Sequence, residues 1–405
     1  MALSISFTVS FAIACFLSSG SASTPLRGTA ITSKHETAVP KWRISLKSAI
    51  GSPPLGKVFG RVQEYKALPR TSLWFTDNNT LVATFVIREG KGDLSSRDSV
   101  DTTLPLRLRL VFIDATSGQV LTTPDWPTDS RDAGVIAVRD GRFVTQRGSE
   151  LTLYTPDLKP LKKLKLPRLT EGDWIAHTSP TGKNILFIPS GHRTGSWLWL
   201  ETDTMQIIHS WEDKQTGDVT VADDKVAMIT CTWSHECEPH IRVRGTTTDW
   251  KTIAPGSRQS YPQFVNEDML LLSGSPIKLI QTDGSVVFAE DLPLEGCWWG
   301  RVSASSGGQR FVVPRCAGKG AIAALDVGQR AELKEILVYD SPSQERSYTL
   351  DLKGPTIKDL ALLAVSPDGL RLAILNGDSV EVLQLPPFWN VKQSSPVLFP
   401  LDSLW

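Results

Sequence analysis

Ser366-Pro367-Asp368-Gly369-Leu370-Arg371-Leu372-Ala373-Ile374 is the stretch that decides the fold of this chain. A small polar residue leads into a tight turn, and an apolar run leaves it. The same frame recurs, more loosely, around Asn78-Asn79, Asp140-Gly141, Thr181-Gly182, Asp223-Asp224, Asn266-Glu267 and Gly307-Gly308. From Asp140 to Gly307 successive turns lie 41, 42, 43 and 41 residues apart, and the two outer steps are 62 and 61. A fixed period in the low forties is what a four-stranded antiparallel unit requires. Such units stack side by side because none can bury its apolar face alone.

Within each period, short apolar runs alternate with turn residues. In the third repeat Trp174–Thr178, Asn184–Ile188, Trp197–Glu201 and Gln206–Trp211 read as strands a to d. The second reads Gly134–Val138, Arg142–Gln146, Glu150–Tyr154 and Lys162–Leu166. The fourth reads Asp218–Val221, Lys225–Cys231, His240–Arg244 and Asp249–Ile253. The fifth reads Gln263–Val265, Met269–Gly274, Ile277–Gln281 and Val286–Ala289. The last repeat offers only Leu360–Val365, Arg371–Leu375 and Ser379–Leu385. Its fourth strand must come from Trp42–Leu46 or from Val397–Phe399. The N-terminal strand is expected, because sealing the last unit with the first segment resists opening. The expected fold is all-β: a single seven-bladed β-propeller of four-stranded antiparallel blades over residues 41–390, with six or eight blades as alternatives. A flexible segment precedes it at 24–40, and a C-terminal tail follows at 391–405. A closed ring leaves few free edges.

Ser366-Pro367-Asp368-Gly369 with Arg371-Leu372-Ala373, and Ser179-Pro180-Thr181-Gly182, resemble the inner hairpin of WD-repeat-like and TolB-type β-propellers. Ser305-Ser306-Gly307-Gly308-Gln309-Arg310 fits the same frame without the proline, and Asp114-Ala115-Thr116-Ser117-Gly118 is similar to the outer-strand turn of such blades. The Gly-His and Trp-Asp signatures of true WD repeats are absent. The resemblance therefore implies the broad propeller group, whose members include enzymes, binding modules and scaffolds.

With 405 residues, 40% of them hydrophobic, the chain can bury a sizeable core. Its 43 basic and 43 acidic residues cancel, so charge gives no case for a nucleic acid or an anionic membrane as partner. Ile5–Leu17 is almost wholly apolar and Ser18–Ser23 small and polar, which reads as a signal peptide over residues 1–23. The departure is the lack of Lys or Arg before Arg27. The apolar run falls short of the roughly 20 residues of a membrane span. The expectation is a secreted or periplasmic, cell-envelope protein with no membrane span after cleavage and no lipid anchor.

Removing the signal removes Cys15 and leaves four cysteines, an even number that implies disulfides in an exported chain. Cys231 and Cys237 flank a b–c hairpin. Cys297 begins a strand a and Cys316 ends the following strand b, so the two face each other across an antiparallel pair. Directly opposed residues lie within disulfide reach. The expected bridges are Cys231–Cys237 and Cys297–Cys316. A competing zinc site at Cys231, His235, Cys237 and His240 has suitable ligand types, but its spacing matches no standard finger.

The two long steps locate insertions, Arg88–Pro105 and Ala317–Lys334, both between strands b and c. They rise from one face, on the two blades that flank blade seven, whose own b–c turn is only Asn376-Gly377-Asp378. The cysteines fall on the same face. So do His192 and Arg193, an anion- or carboxylate-contact candidate, and Trp233, His235, Trp298 and Trp299, candidates for partner contact. Trp74, Trp126, Trp211 and Trp250 sit at strand ends and read as packing between blades. His177 reads as a channel or core histidine. No nucleophile elbow, Walker loop, dinucleotide fingerprint or His-Glu-x-x-His motif occurs. The expectation is a monomeric, non-catalytic binding or scaffold module without cofactor, presenting its loop-rich b–c/d–a face to a protein or glycan. The alternative is an enzyme with a site at the channel mouth, such as a quinoprotein-like oxidoreductase, a lactonase or another hydrolase.

Overall fold

The computed structural model describes residues 34–51, 71–88, 105–130, 133–169, 174–189, 194–214, 217–230, 238–256, 261–273, 276–290, 302–317, 332–341, 345–352, 357–358, 362–376 and 378–388. They form seven sheets, each built on a four-stranded antiparallel meander. The second blade runs Gly134–Arg139, Arg142–Arg147, Glu150–Tyr154 and Pro160–Lys165. The third runs Trp174–Thr178, Asn184–Pro189, Thr194–Glu201 and Gln206–Lys214. Blades four and five match their sequence assignments within about two residues at strand ends, the usual scatter of such boundaries. Blade four's strand b stops earlier, at Ile229, and Cys231 lies outside the described residues. In blade one the outer strand is split into Val120–Thr122 and Asp125–Thr128, both paired with Leu106–Asp114. Pro124 falls at the break, where its missing N–H leaves nothing to donate to a ladder.

Three hairpins show why the opening motif repeats. Ser179, Ser305 and Ser366 are buried, and each carbonyl accepts the N–H of the glycine three residues on, at 2.9, 2.8 and 2.8 Å. Each serine hydroxyl then accepts the backbone N–H of the residue five on: Asn184 at 3.1 Å, Arg310 at 3.2 Å and Arg371 at 2.9 Å. The turn closes on itself through one side chain, and glycine supplies the left-handed backbone at its fourth position.

That fifth-on residue has a second role. Asn184 Nδ2 donates to the Asp223 carbonyl, Arg310 Nη1 to the Gly369 carbonyl and Arg371 Nη1 to the Asn78 carbonyl, each in the a–b turn of the next blade. In blade four Lys225 does the same, with Nζ 3.3 Å from the Glu267 carbonyl. One short motif thus closes its own hairpin and grips its neighbour.

Each of the seven hydrophobic clusters draws on two adjacent blades. Side chains alternate along a strand, so one set reaches each neighbour. In blade three Ile185 and Phe187 pack toward blade two, and Leu186 and Ile188 toward blade four. The b strands are therefore continuous apolar runs instead of alternating ones. Trp74 and Trp126 pack in the seam of blades one and two, and Trp211 and Trp250 in that of three and four, as their strand-end positions imply.

The ring closes through the N-terminus. Pro40–Ser45 pairs antiparallel with Ser379–Gln384 and completes blade seven. Arg43 forms an ion pair with Glu381 in its partner strand. Trp42 Nε1 donates to the Ala115 carbonyl of blade one at 3.0 Å, tying the closing strand across the seam. Gly118 lies beneath this indole at φ 79°, where a Cβ would sit 2.8 Å from Trp42 Cδ2. The expectation of a flexible segment over 24–40 needs correction in its last part. Lys34–Ala38 is a strand, parallel to the outer strand Glu345–Leu352 of blade six. An open sheet edge offers backbone donors and acceptors to any extended segment beside it, and the chain leading into the closing strand runs there.

Candidate functional site

His192, Arg193, Cys231, Trp233, His235, Cys237, Cys297, Trp298 and Trp299 lie outside the described residues. Cys316 lies in strand b of blade six, with its backbone opposite Leu333. The ends of the long b–c connections are described. Strand b stops at Arg88 in blade one and at Ala317 in blade six, and strand c resumes at Leu106 and Glu332. Blade seven makes the same connection between Asn376 and Ser379, which are paired. Two long connections therefore flank a two-residue one on the b–c/d–a face.

Asp218 directly precedes the inner strand Val219–Val221, where its carbonyl accepts the Ile229 N–H at 3.1 Å and burial pushes its carboxyl up. Among the described residues none of the seven inner strands carries Asp or Glu. Their polar groups bond across seams. Trp74 Nε1 and Ser72 Oγ donate to the Val135 carbonyl at 3.1 and 3.0 Å. Gln263 Nε2 donates to the Val302 carbonyl at 2.6 Å. Thr220 Oγ1 accepts from Phe264 N at 3.1 Å, and Ser303 Oγ accepts from Val365 N at 3.2 Å. His177 lies on strand a of blade three opposite Leu186, partly exposed. His240 begins strand c of blade four, where its N–H donates to Thr230 Oγ1 at 3.1 Å. Among the described residues no three of His, Cys, Asp and Glu are grouped to hold a metal.

Acidic groups gather instead on the opposite face, in the a–b turns. Glu267 Oε2 accepts the Asp223 N–H at 2.7 Å, and Asp223 Oδ1 accepts from Thr181 Oγ1 at 2.6 Å, so the turns of blades three, four and five form one chain. Partial burial, followed by the nearby Asp223, pushes the Glu267 carboxyl up to about 7. Between blades one and two this face opens a cavity of about 250 Å³, with Asp77, Thr80, Leu121, Gly141, Asp157 and Leu158 among its lining. Both carboxylates are engaged locally: Asp77 Oδ1 accepts from Asn79 N at 2.6 Å, and Asp157 Oδ2 lies 2.8 Å from Lys159 Nζ.

Trp197, Trp199, Trp211 and Trp250 meet at the seam of blades three and four. The Trp211 and Trp250 indoles both donate to Asp213 Oδ2, at 3.1 and 2.7 Å, and the Arg244 guanidinium lies 4.6 Å from the Trp211 ring centroid. This cage is filled by the protein's own arginine, which makes it a packing device. Sequence reasoning placed the tryptophans in the seam and missed the carboxylate between them. It also missed the turn-to-turn network, although the recurring Ser-x-x-Gly-x-Asn/Arg spacing carries it.

No family model matches this chain, and no curated protein does. Among solved structures, a chain of a mitotic checkpoint complex crystal structure is 10% identical, with 88% of this chain and 98% of that one covered at a TM-score of 0.48. The C-terminal WD40 domain of Sif2 is 11% identical over 83% of this chain and 99% of that one, at 0.44. Hsv2p of Kluyveromyces lactis is 12% identical over 76% of this chain and 90% of that one, at 0.46. Likenesses of this degree add nothing to what the strand pairings establish: the chain is a seven-bladed β-propeller.

Proposed function

We propose that this propeller is a non-catalytic binding scaffold that presents its b–c/d–a face to a protein or glycan partner outside the cytoplasm. One observation carries the reading: the two long b–c connections leave the blades flanking blade seven, on one face, beside its two-residue turn. Long connections on a rigid ring are where recognition concentrates. Among the described residues the seven inner strands carry no Asp or Glu, with Asp218 just before one of them, and their polar groups bond across seams, which fits a scaffold better than a channel-mouth enzyme. The test replaces 89–104 and 318–331 with Asn-Gly turns. The expected result is an unchanged melting temperature with loss of partner crosslinking in the native host and of retention on immobilised glycans. Full retention of both in the folded variant overturns the reading. Export and the bridges Cys231–Cys237 and Cys297–Cys316 belong to the same proposal. N-terminal sequencing of the mature chain and non-reducing peptide mass mapping test them, and four free thiols would refute the pairing.

A further inference from the structure

Arg310 is fully buried at the start of strand b in blade six, on the turn face. Burying a guanidinium is costly unless every side of it is met. Its Nε donates to Asp340 Oδ1 at 2.6 Å, and its Nη1 donates to the carbonyls of Gly369 at 3.0 Å and Pro386 at 2.7 Å. The Phe388 ring covers the guanidinium, 4.2 Å from Cζ to the ring centroid. Phe388 Cζ lies 2.9 Å from where a Cβ on Gly369 would be, so the glycine leaves the ring its place. Tyr348 OH donates to the Pro387 carbonyl at 3.2 Å. Arg310 Nη2 is buried and has no partner among the described residues.

These contacts have a common chemistry. Pro386 and Pro387 have no N–H, so their carbonyls are their only backbone hydrogen-bonding groups, and each meets a side-chain donor. Proline fixes φ and keeps the segment extended at little entropic cost, which is why grooves lined by aromatic and donor groups select such sequences. The aromatic residue that follows stacks on a cation. We propose that this seat on blades six and seven is a recognition site for extended Pro-Pro-aromatic segments, held shut by the chain's own Pro386-Pro387-Phe388, and that a partner protein bearing such a segment exchanges for it. The segment follows directly on strand c of blade seven, which ends at Gln384, so its effective concentration is high and a free peptide cannot displace it unaided. The site lies on the face opposite the long connections and does not depend on the reading given for them.

The experiment uses the full chain and a labelled peptide, Leu-Pro-Pro-Phe-Trp-Asn, followed by fluorescence anisotropy. Wild type is expected to take up none. The P386G/F388A variant, whose strap is loosened, binds it saturably, and adding Tyr348→Phe weakens that binding by roughly fivefold to tenfold, the loss of one hydrogen bond. A scrambled peptide does not bind. A second form has a specific protease site inserted after Leu385 and is cut only after folding, so strap release is separated from folding. The proposal is overturned if the strap-released protein, shown by its melting curve to be folded, takes up no peptide, or if the scrambled peptide or the Tyr348→Phe form binds equally well.

Discussion

The buried Ser366 hydroxyl does two jobs: it accepts the Arg371 N–H at 2.9 Å and lies 2.5 Å from Asp368 Oδ1. Ser366→Ala leaves the Arg371 N–H without this acceptor and is expected to lower stability by about 1–2 kcal/mol, read as a lower urea midpoint at constant slope. Glu267 gives the residue scale its pH dependence. Its folded carboxyl titrates at about 7, above the 4.5 of an ordinary glutamate. The folded state therefore binds this proton more tightly than the unfolded chain does. The contribution is fully present below the unfolded value and is lost as pH rises through about 7. Asp125 runs the opposite way. Hydrogen bonds from Arg107, offset in part by burial, and then from Arg109 hold its carboxyl low, so its contribution disappears in acid. Glu267→Gln should flatten the fall in melting temperature between pH 5.5 and 8 relative to wild type; an identical pH slope in the two proteins would contradict the assignment.

At the scale of elements, the closing strand depends on few contacts. Only Trp42 and Ile44 of Pro40–Ser45 pack against the cluster of blades seven and one. Trp42→Ala removes half-buried indole surface and the bond to the Ala115 carbonyl. A loss of about 2–3 kcal/mol is expected in thermal or urea unfolding, below the cost at a fully buried tryptophan. Strands b were readable as continuous apolar runs because both of their faces are covered. The outer strands were harder. Pro160–Lys165 is exposed at nearly every position, so its residues answer to no packing constraint, and lysines there discourage further pairing. The segment Lys34–Ala38 has four exposed residues in five, and nothing in its composition marks it as a strand. Only the open edge of blade six makes it one.

At the scale of the molecule, both ends of the described chain meet on blade six. Tyr348 pairs through its backbone with Lys34 and donates through its hydroxyl to Pro387. The N-terminal strand and the C-terminal strap therefore cross the same seam and should stabilise it together. A chain beginning at residue 46 lacks the strand that completes blade seven. It is expected to unfold over a broader range, with the calorimetric enthalpy exceeding the van't Hoff value, because stacked blades lose cooperativity once the ring is cut. A single sharp transition in that chain would show that the strap alone holds the ring closed.

The sequence by itself determined the sevenfold repeat, the strand order within a blade and the location of the long connections, and left Trp42–Leu46 and Val397–Phe399 as two candidates for the closing strand. All of these follow from turn spacing and from apolar runs, which are local properties of the chain. Tertiary structure alone decided which polar residues meet. Asn184, Arg310 and Glu267 are each unremarkable in their own repeat, and their partners lie in other turns or strands, often on the next blade, 30 to 59 residues away in the cases of Asp223, Asp340 and Gly369. The same holds for the Pro386-Pro387-Phe388 seat, since its donors, Arg310 and Tyr348, come from two strands of another blade. Periodicity reports burial, and burial is shared by every blade. Hydrogen-bond geometry across a seam belongs to a pair of blades and exists only once the ring has closed.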